Sequence, residues 1–326
     1  MKLIEEIMET ETAGDPMSGL KWTRKTTNKI SKQLESFDTS VSSTTVGKVL
    51  KQLGFSLKSN VKKISSGGKS MSLKEQEKRN NQFEYINKLR CQSRKENFPE
   101  ISIDTKKKEL IGNFKNSGTR YKRTADLTND HDFLSYGLGK AALYGVYNPL
   151  HNRAFVSIGM FVKEKNTIIS GDTPEFAVDS IERWLTNDGV KTYSNIKEIL
   201  ILADAGGSNG YRTHMWKVGL QNIICNKYGI KATVCHFPPG ASKWNPIEHK
   251  VFSEISKNWK GTPLIDYETV LKYTQTTKTK KGLEVNAILV DKQYKKGIKA
   301  SKSDLENLNI EYHEINTAWN YTISPN

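Results

Sequence analysis

Apolar residues recur along this chain with two different periods, and the change of period divides it. In "TTNKISKQLESF" Ile30, Leu34 and Phe37 fall on one helical face, and in "SSTTVGKVLKQLG" Val46, Val49, Leu50 and Leu53 do the same. Serines precede the second run as caps, and Gly54 follows it as a stop. Two short helices joined by a tight turn are the pattern of a helix-turn-helix, in which the second helix enters the major groove of DNA. Its outer side would present Thr44, Thr45, Lys48, Lys51 and Gln52. An ordinary helical hairpin with a solvated basic face gives the same pattern. Residues 1–20 show no clear period and read as an irregular, partly acidic lead-in. A flexible joint, "SSGGKSMS", and a polar helix, "KEQEKRNNQFEYINKLRCQSRKEN", lead on to Phe98 and Pro99.

Beyond Pro99 strand and helix patterns follow in the order strand, strand, strand, helix, strand, helix, strand, helix. "EISIDTKKKEL" alternates through Ile101 and Ile103, and "KAALYGVYNP" and "RAFVSIGMFV" add two more strands. "TPEFAVDSIERWL" is an amphipathic helix with Thr173 or Asp172 as cap and Pro174 leading. "EILILADAGG" contains the continuous apolar run of a central strand covered on both faces. "YRTHMWKVGLQNIICNKYG" is helical, "KATVCHFPPG" a strand, and "SKWNPIEHKVFSEISKNW" a last helix. Such alternation predicts an α/β layer around a mixed sheet.

Charge adds a partner class. Lysine and arginine number 50 against 35 acids, a formal net charge of +15, which favours a polyanion such as nucleic acid. A lysine-rich genomic bias would give the same excess. From Val46 to Asn80 nine basic residues face two acidic ones, and Lys48, Lys51, Lys62 and Lys63 are the expected DNA contacts. Cys91, Cys225 and Cys235 form no CxxC pair, which points to a reduced, intracellular setting. Cys235 and His236 are adjacent without a second pair at zinc-finger spacing, and read as strand residues. No leader and no long apolar span stand out, so a soluble protein, off the membrane, is expected.

The chemistry lies in three acids. Asp204 closes the run Ile199–Ala203 at the carboxyl end of its strand, where ligand sites of open α/β sheets lie. The glycines after it do not fit GxGxxG, and no P-loop is present. Asp104 ends the Ile101–Ile103 alternation beside Lys106, Lys107 and Lys108, where it could equally belong to a surface charge cluster. Glu248 falls inside the apolar stripe of Ile247, Val251, Phe252, Ile255 and Trp259. Two readings of it compete. With Asn245 as N-cap and Pro246 at the first helical position, Glu248 completes a capping box. Alternatively, it joins two strand-borne aspartates in a group whose mutual repulsion a divalent cation relieves. Hard carboxylate oxygens suit Mg²⁺ or Mn²⁺, and two such ions in a basic protein suit phosphoryl transfer.

At these residues the chain resembles a known family, the Rhodopirellula-type DDE transposases of bacterial insertion sequences, within the RNase H-like transposase and integrase superfamily. The resemblance runs in order from Trp22 to Ile323. Its most specific stretches are "DTKKKELIGNFKN", "ADAGGSNGYR" and "VCHFPPGASKWNPIEHKVFSEISKNWKG". It implies a mixed five-stranded RNase H-like sheet flanked by helices, and Asp104, Asp204 and Glu248 as catalytic, metal-binding acids. It implies cleavage at the element's ends and attack of a freed 3′-hydroxyl on target DNA, with Mg²⁺ (Mn²⁺ substituting), two ions, as cofactor. The implied partners are double-stranded terminal repeats, target DNA and further copies of the chain, in a cytoplasmic, nucleoid-associated setting.

The organisation expected is a lead-in (1–20), an all-α helix-turn-helix DNA-binding region (21–80), a linker helix (81–98), the catalytic core (99–262) and a packed carboxyl-terminal extension (263–326). A transposase descendant that binds DNA without catalysis, and an RNase H-like nuclease that cleaves without joining, are the alternatives.

Overall fold

The structure, a computed structural model, describes residues 2–10, 13–14, 21–22, 26–56, 72–161, 163–164, 167–168 and 172–326. Lys62 and Lys63 lie outside these residues, as does the joint at 65–71. The chain forms two compact units, residues 1–69 and 70–326.

The first unit contains helices α1 (Lys2–Thr10), α2 (Thr27–Glu35) and α3 (Ser43–Gln52). Over Lys2–Thr10 a helix stands where an irregular lead-in was expected. Ile4 and Ile7 share one helical face and are buried with Ile30, Leu34 and Val46. Thr26 caps α2 by accepting from the Lys29 amide, and Ser42 caps α3 by accepting from Thr45 at 3.2 Å. Helix α2 ends at Glu35, so Phe37, expected on its inner face, is exposed instead. Residues 36–42 join α2 to α3, a longer link than the roughly 3–4-residue turn of a helix-turn-helix. Thr44, Thr45, Lys48, Lys51 and Gln52 are all exposed on α3, while Val46 is fully buried.

The second unit begins with α4 (Leu73–Glu96), closed at its start by the Ser72–Glu75 capping box and at its end by Asn97 in the left-handed conformation. A nine-stranded sheet follows. Its strands are β1 (Glu100–Thr105), β2 (Glu109–Ile111), β3 (Gly139–Asn148), β4 (Arg153–Phe161), β5 (Glu198–Ala203), β6 (Lys231–His236), β7 (Glu284–Val290), β8 (Ile310–Tyr312) and β9 (Asn320–Ile323). They lie in the order β7-β4-β3-β1-β5-β6-β9-β8, with β2 paired to β3. Strands β1, β5 and β6 run parallel, and β3 is antiparallel to β1.

The strands read from the sequence, β4-β3-β1-β5-β6, occupy the centre. The difference from a five-stranded sheet comes from the carboxyl-terminal region, expected only to pack on the core. It supplies β7, parallel to β4, on one side and β9, antiparallel to β6, on the other. Each added strand satisfies amides and carbonyls that an uncovered sheet edge would expose.

Both faces of the sheet are covered. Ile199, Ile201 and Ala203 of β5 pack with α5 (Pro174–Trp184) and α6 (His214–Gly219), while Leu200 and Leu202 pack with Ile86 of α4. The apolar run is therefore two-sided, as its composition requires. The face of β3 that carries Leu143 meets the stripe Ile247, Val251, Phe252, Ile255 and Trp259, and α8 (Tyr267–Gln275), which follows α7 (Ser253–Asn258). Burying each large apolar side chain contributes roughly 1.5–3 kcal/mol. No helix of the described residues is long and apolar enough to cross a membrane.

Candidate active site

Parallel β1, β5 and β6 end side by side, with Ile103 paired to Ala203 and Ala203 to His236. That register brings Asp104 and the residue after Ala203, Asp204, to one edge of the sheet. Glu248 arrives on a turn pressed against β1 and β3. The segment expected to be a regular helix is a π-helical turn over Glu248–Phe252, in which the Ser253 amide donates to the Glu248 carbonyl. Such widened turns hold one extra residue and often occur where a side chain is aimed at a site.

The capping reading of Glu248 fails on geometry. The Asn245 amide donates to the Ser242 carbonyl, and no side-chain cap serves the turn. The Asn245 side chain points instead into the protein, fully buried. Its Nδ2 donates to Asp204 Oδ1 at 2.9 Å and to the Ile103 carbonyl at 3.1 Å, and its Oδ1 accepts from Ser102 Oγ. Ser102 Oγ accepts in turn from the Ile247 amide at 3.1 Å.

Both aspartates sense the neighbouring acids. Burial, a side-chain hydrogen bond with Glu248 and the charge of Asp204 push the Asp104 carboxyl up to about 9. Two carboxyl groups so close can share a hydrogen bond only through a proton held by the pair. Burial also raises Asp204; the Asn245 bond opposes this and the Glu248 charge adds to it. The surface-cluster reading of Asp104 also fails. Lys106 bonds Glu109, Lys108 pairs with Asp172 at 2.7 Å, and none of the three lysines pairs with Asp104.

Among the described residues no three His, Cys, Asp or Glu side chains form a ready-made metal cage. The donor set nevertheless fits a divalent cation. It consists of hard oxygens, no cationic side chain neutralises it among the described residues, and burial with the neighbouring acids raises the Asp104 carboxyl in the absence of such a charge. Asp104 and Asp204 open onto a cleft of about 910 Å³ whose wall includes Lys107, Arg212, Thr105 and the loop Gly206–Gly210. Gly207 takes φ +79° in that loop, a conformation only glycine adopts freely. Thr105 Oγ1 and Asn209 Nδ2, both buried at the cleft, have no hydrogen-bond partner among the described residues.

Behind Asp204, His236 is fully buried, and burial lowers its pKa to about 4. The neutral ring has one tautomer that fits. Nδ1 donates to the Asp204 carbonyl at 2.9 Å, and Nε2 accepts from Tyr321 at 3.2 Å. The Tyr321 oxygen accepts from the Trp216 indole at 2.9 Å. Cys235 and His236 are strand residues, as read.

The model of the family described as "Rhodopirellula transposase DDE domain" matches residues 3–325. The chain belongs to this family. No curated protein matches it in sequence. Several solved Mos1 transposase structures are similar to it. They include "Crystal structure of the mariner Mos1 paired end complex with Mg", at 12% identity and TM-score 0.44 over 83% of this chain and 68% of the other. The "Mos1 mariner paired end complex with Mn" gives 13% identity and TM-score 0.43 over 84% and 69%. The "Mos1 transposase paired-end complex with left transposon end" gives 13% and 0.41 over 83% and 68%.

In this transposase-family chain Asp104, Asp204 and Glu248 come together, whereas Thr44, Thr45, Lys48 and Lys51 belong to the other compact unit. Sequence reasoning missed Asn245's inward role, because a residue before Pro246 reads as a cap. It also missed Ser102 and His236, which carried no signal, and Gly145, which lies across the β1–β3 ladder from Asp104 and, as an isolated strand glycine, signals a close backbone approach.

Proposed function

We propose that the chain is a DNA transposase with an RNase H-like catalytic core, and that Asp104, Asp204 and Glu248 are its catalytic carboxylates. The observation that carries this reading is that Asp104 and Asp204, at the ends of β1 and β5, each feel the Glu248 carboxyl, with no cationic side chain paired to either aspartate among the described residues. The central order β4-β3-β1-β5-β6, antiparallel only at β3, supports the RNase H-like assignment.

Asp104, Asp204 and Glu248 would hold Mg²⁺ or Mn²⁺, which when bound activates an attacking oxygen and stabilises a leaving one. The chain's own residues supply the rest. Lys107 and Arg212, cations of the cleft without an ion pair among the described residues, attract the phosphate backbone. Phosphoryl transfer needs mainly positioning and charge stabilisation, and the buried bonds of Asn245 and His236 hold Asp204 still. The exposed face of α3, with Thr44, Thr45, Lys48 and Lys51, is the DNA-binding surface of the first unit. The acting species is an oligomer assembled on element ends.

The test is Asp204→Asn. Mg²⁺-dependent cleavage of duplexes carrying the element's ends should disappear while DNA binding is kept; retained cleavage sinks the assignment. Cleavage without joining to a target duplex would instead favour a nuclease, and no product with any divalent cation a non-catalytic DNA-binding descendant.

A further inference from the structure

Asn245 uses every polar group it has, and its partners are spread over several parts of the site. Its backbone amide donates to Ser242 at 2.9 Å and its carbonyl accepts from Glu248 at 3.2 Å. The orientation of its side-chain amide is fixed by the partners. The Ile103 carbonyl and the Asp204 carboxylate only accept, so Nδ2 faces both. Ser102, already accepting from Ile247, then donates to Oδ1. One fully buried side chain thereby ties β1, the end of β5 and the turn that carries Glu248.

Resting on the reading of the three acids as the catalytic set, we propose that Asn245 is their positioning residue. Its amide fixes the rotamer of Asp204 and anchors the Glu248 turn to β1, so the carboxylates keep the separation a divalent cation needs. Asn245 itself carries no charge and both its amide hydrogens are already donated, so it acts through Asp204 and the Glu248 turn. Partners that orient metal-binding side chains commonly change metal affinity by about 10–100-fold when removed. A residue that merely supports the fold would change stability alone.

Asn245→Ala and Ser102→Ala separate the two roles. Both remove buried hydrogen bonds around the same asparagine; only the first frees Asp204, while the second gives up the Ile247 bond but leaves Asn245 bonded to Asp204 and the Ile103 carbonyl. Mn²⁺ affinity is read by titrating free Mn²⁺ with electron paramagnetic resonance, and Tm is measured on the same metal-free samples. Both variants are expected to lower Tm. Asn245→Ala should weaken Mn²⁺ binding about tenfold or more, and Ser102→Ala less than about threefold. Equal loss of Tm with wild-type Mn²⁺ affinity in both variants overturns the positioning role and leaves the catalytic acids untouched. A wild-type protein that binds no Mn²⁺ overturns both readings. Where Asn245→Ala does not fold, Asn245→Gln keeps both donors but moves them by one methylene. It should bind Mn²⁺ at least about threefold more weakly, and undiminished affinity again overturns the proposal.

Discussion

Gly145 stands directly across the β1–β3 ladder from Asp104, and Ile247 and Phe252 press onto it. A Cβ there would come within 2.6 Å of Ile247 Cδ1 and 2.9 Å of Phe252 Cε1. The missing side chain is what lets the Glu248 turn lie flat on the sheet beside the aspartate.

Gly145→Val should therefore lift that turn away. Overpacking of this kind costs roughly 1–3 kcal/mol, so Tm falls. Metal-dependent cleavage should fall further than the lost stability accounts for, while DNA binding persists. Wild-type cleavage by a folded Gly145→Val protein would show that the close approach is not needed.

The raised carboxyl of Asp104 makes stability depend on pH. Its ordinary value is 3.8 and its value in the fold is about 9. Between these the folded protein holds a proton that the unfolded chain has lost, so stability falls as pH rises through the window. Asp104→Asn removes this penalty. The metal-free variant should melt higher than wild type, by roughly 2–8 °C, with a larger gain near about pH 8 than near about pH 5. Scanning calorimetry at both values without divalent cations checks it. A gain independent of pH would mean that the carboxyl is not held protonated.

On α3 the exposed lysines should govern DNA affinity rather than stability. Lys48→Ala combined with Lys51→Ala should leave Tm within about 1 °C. It should weaken duplex binding and lower the slope of log K against log salt by about 1–2. Binding titrations over a range of salt give both quantities, and an unchanged slope would reduce α2 and α3 to a helical hairpin.

Much of the fold was legible because local chemistry and global placement agree. Capping serines and threonines, the Ile101–Ile103 alternation and the run Ile199–Ala203 each name an element whose buried face was the one expected. Helix α1 was missed because two isoleucines three apart make too short a pattern to stand out. Strands β7 and β9 were missed because their partners lie far away in sequence: β7 pairs with β4, and β9 with β6.

The three acids show the same division. Their residue types, their places at strand ends and inside an apolar stripe, and the motifs around them are properties of the sequence. Residue type and spacing alone left Glu248 suspended between a helix cap and a buried ligand. Tertiary structure decided it, because Asn245 gives its side chain to Ser102, Ile103 and Asp204 and has none left for a cap. A hydrogen-bonding side chain has few donors and acceptors, and which partners take them is settled only when β1, β5 and the Glu248 turn meet in space.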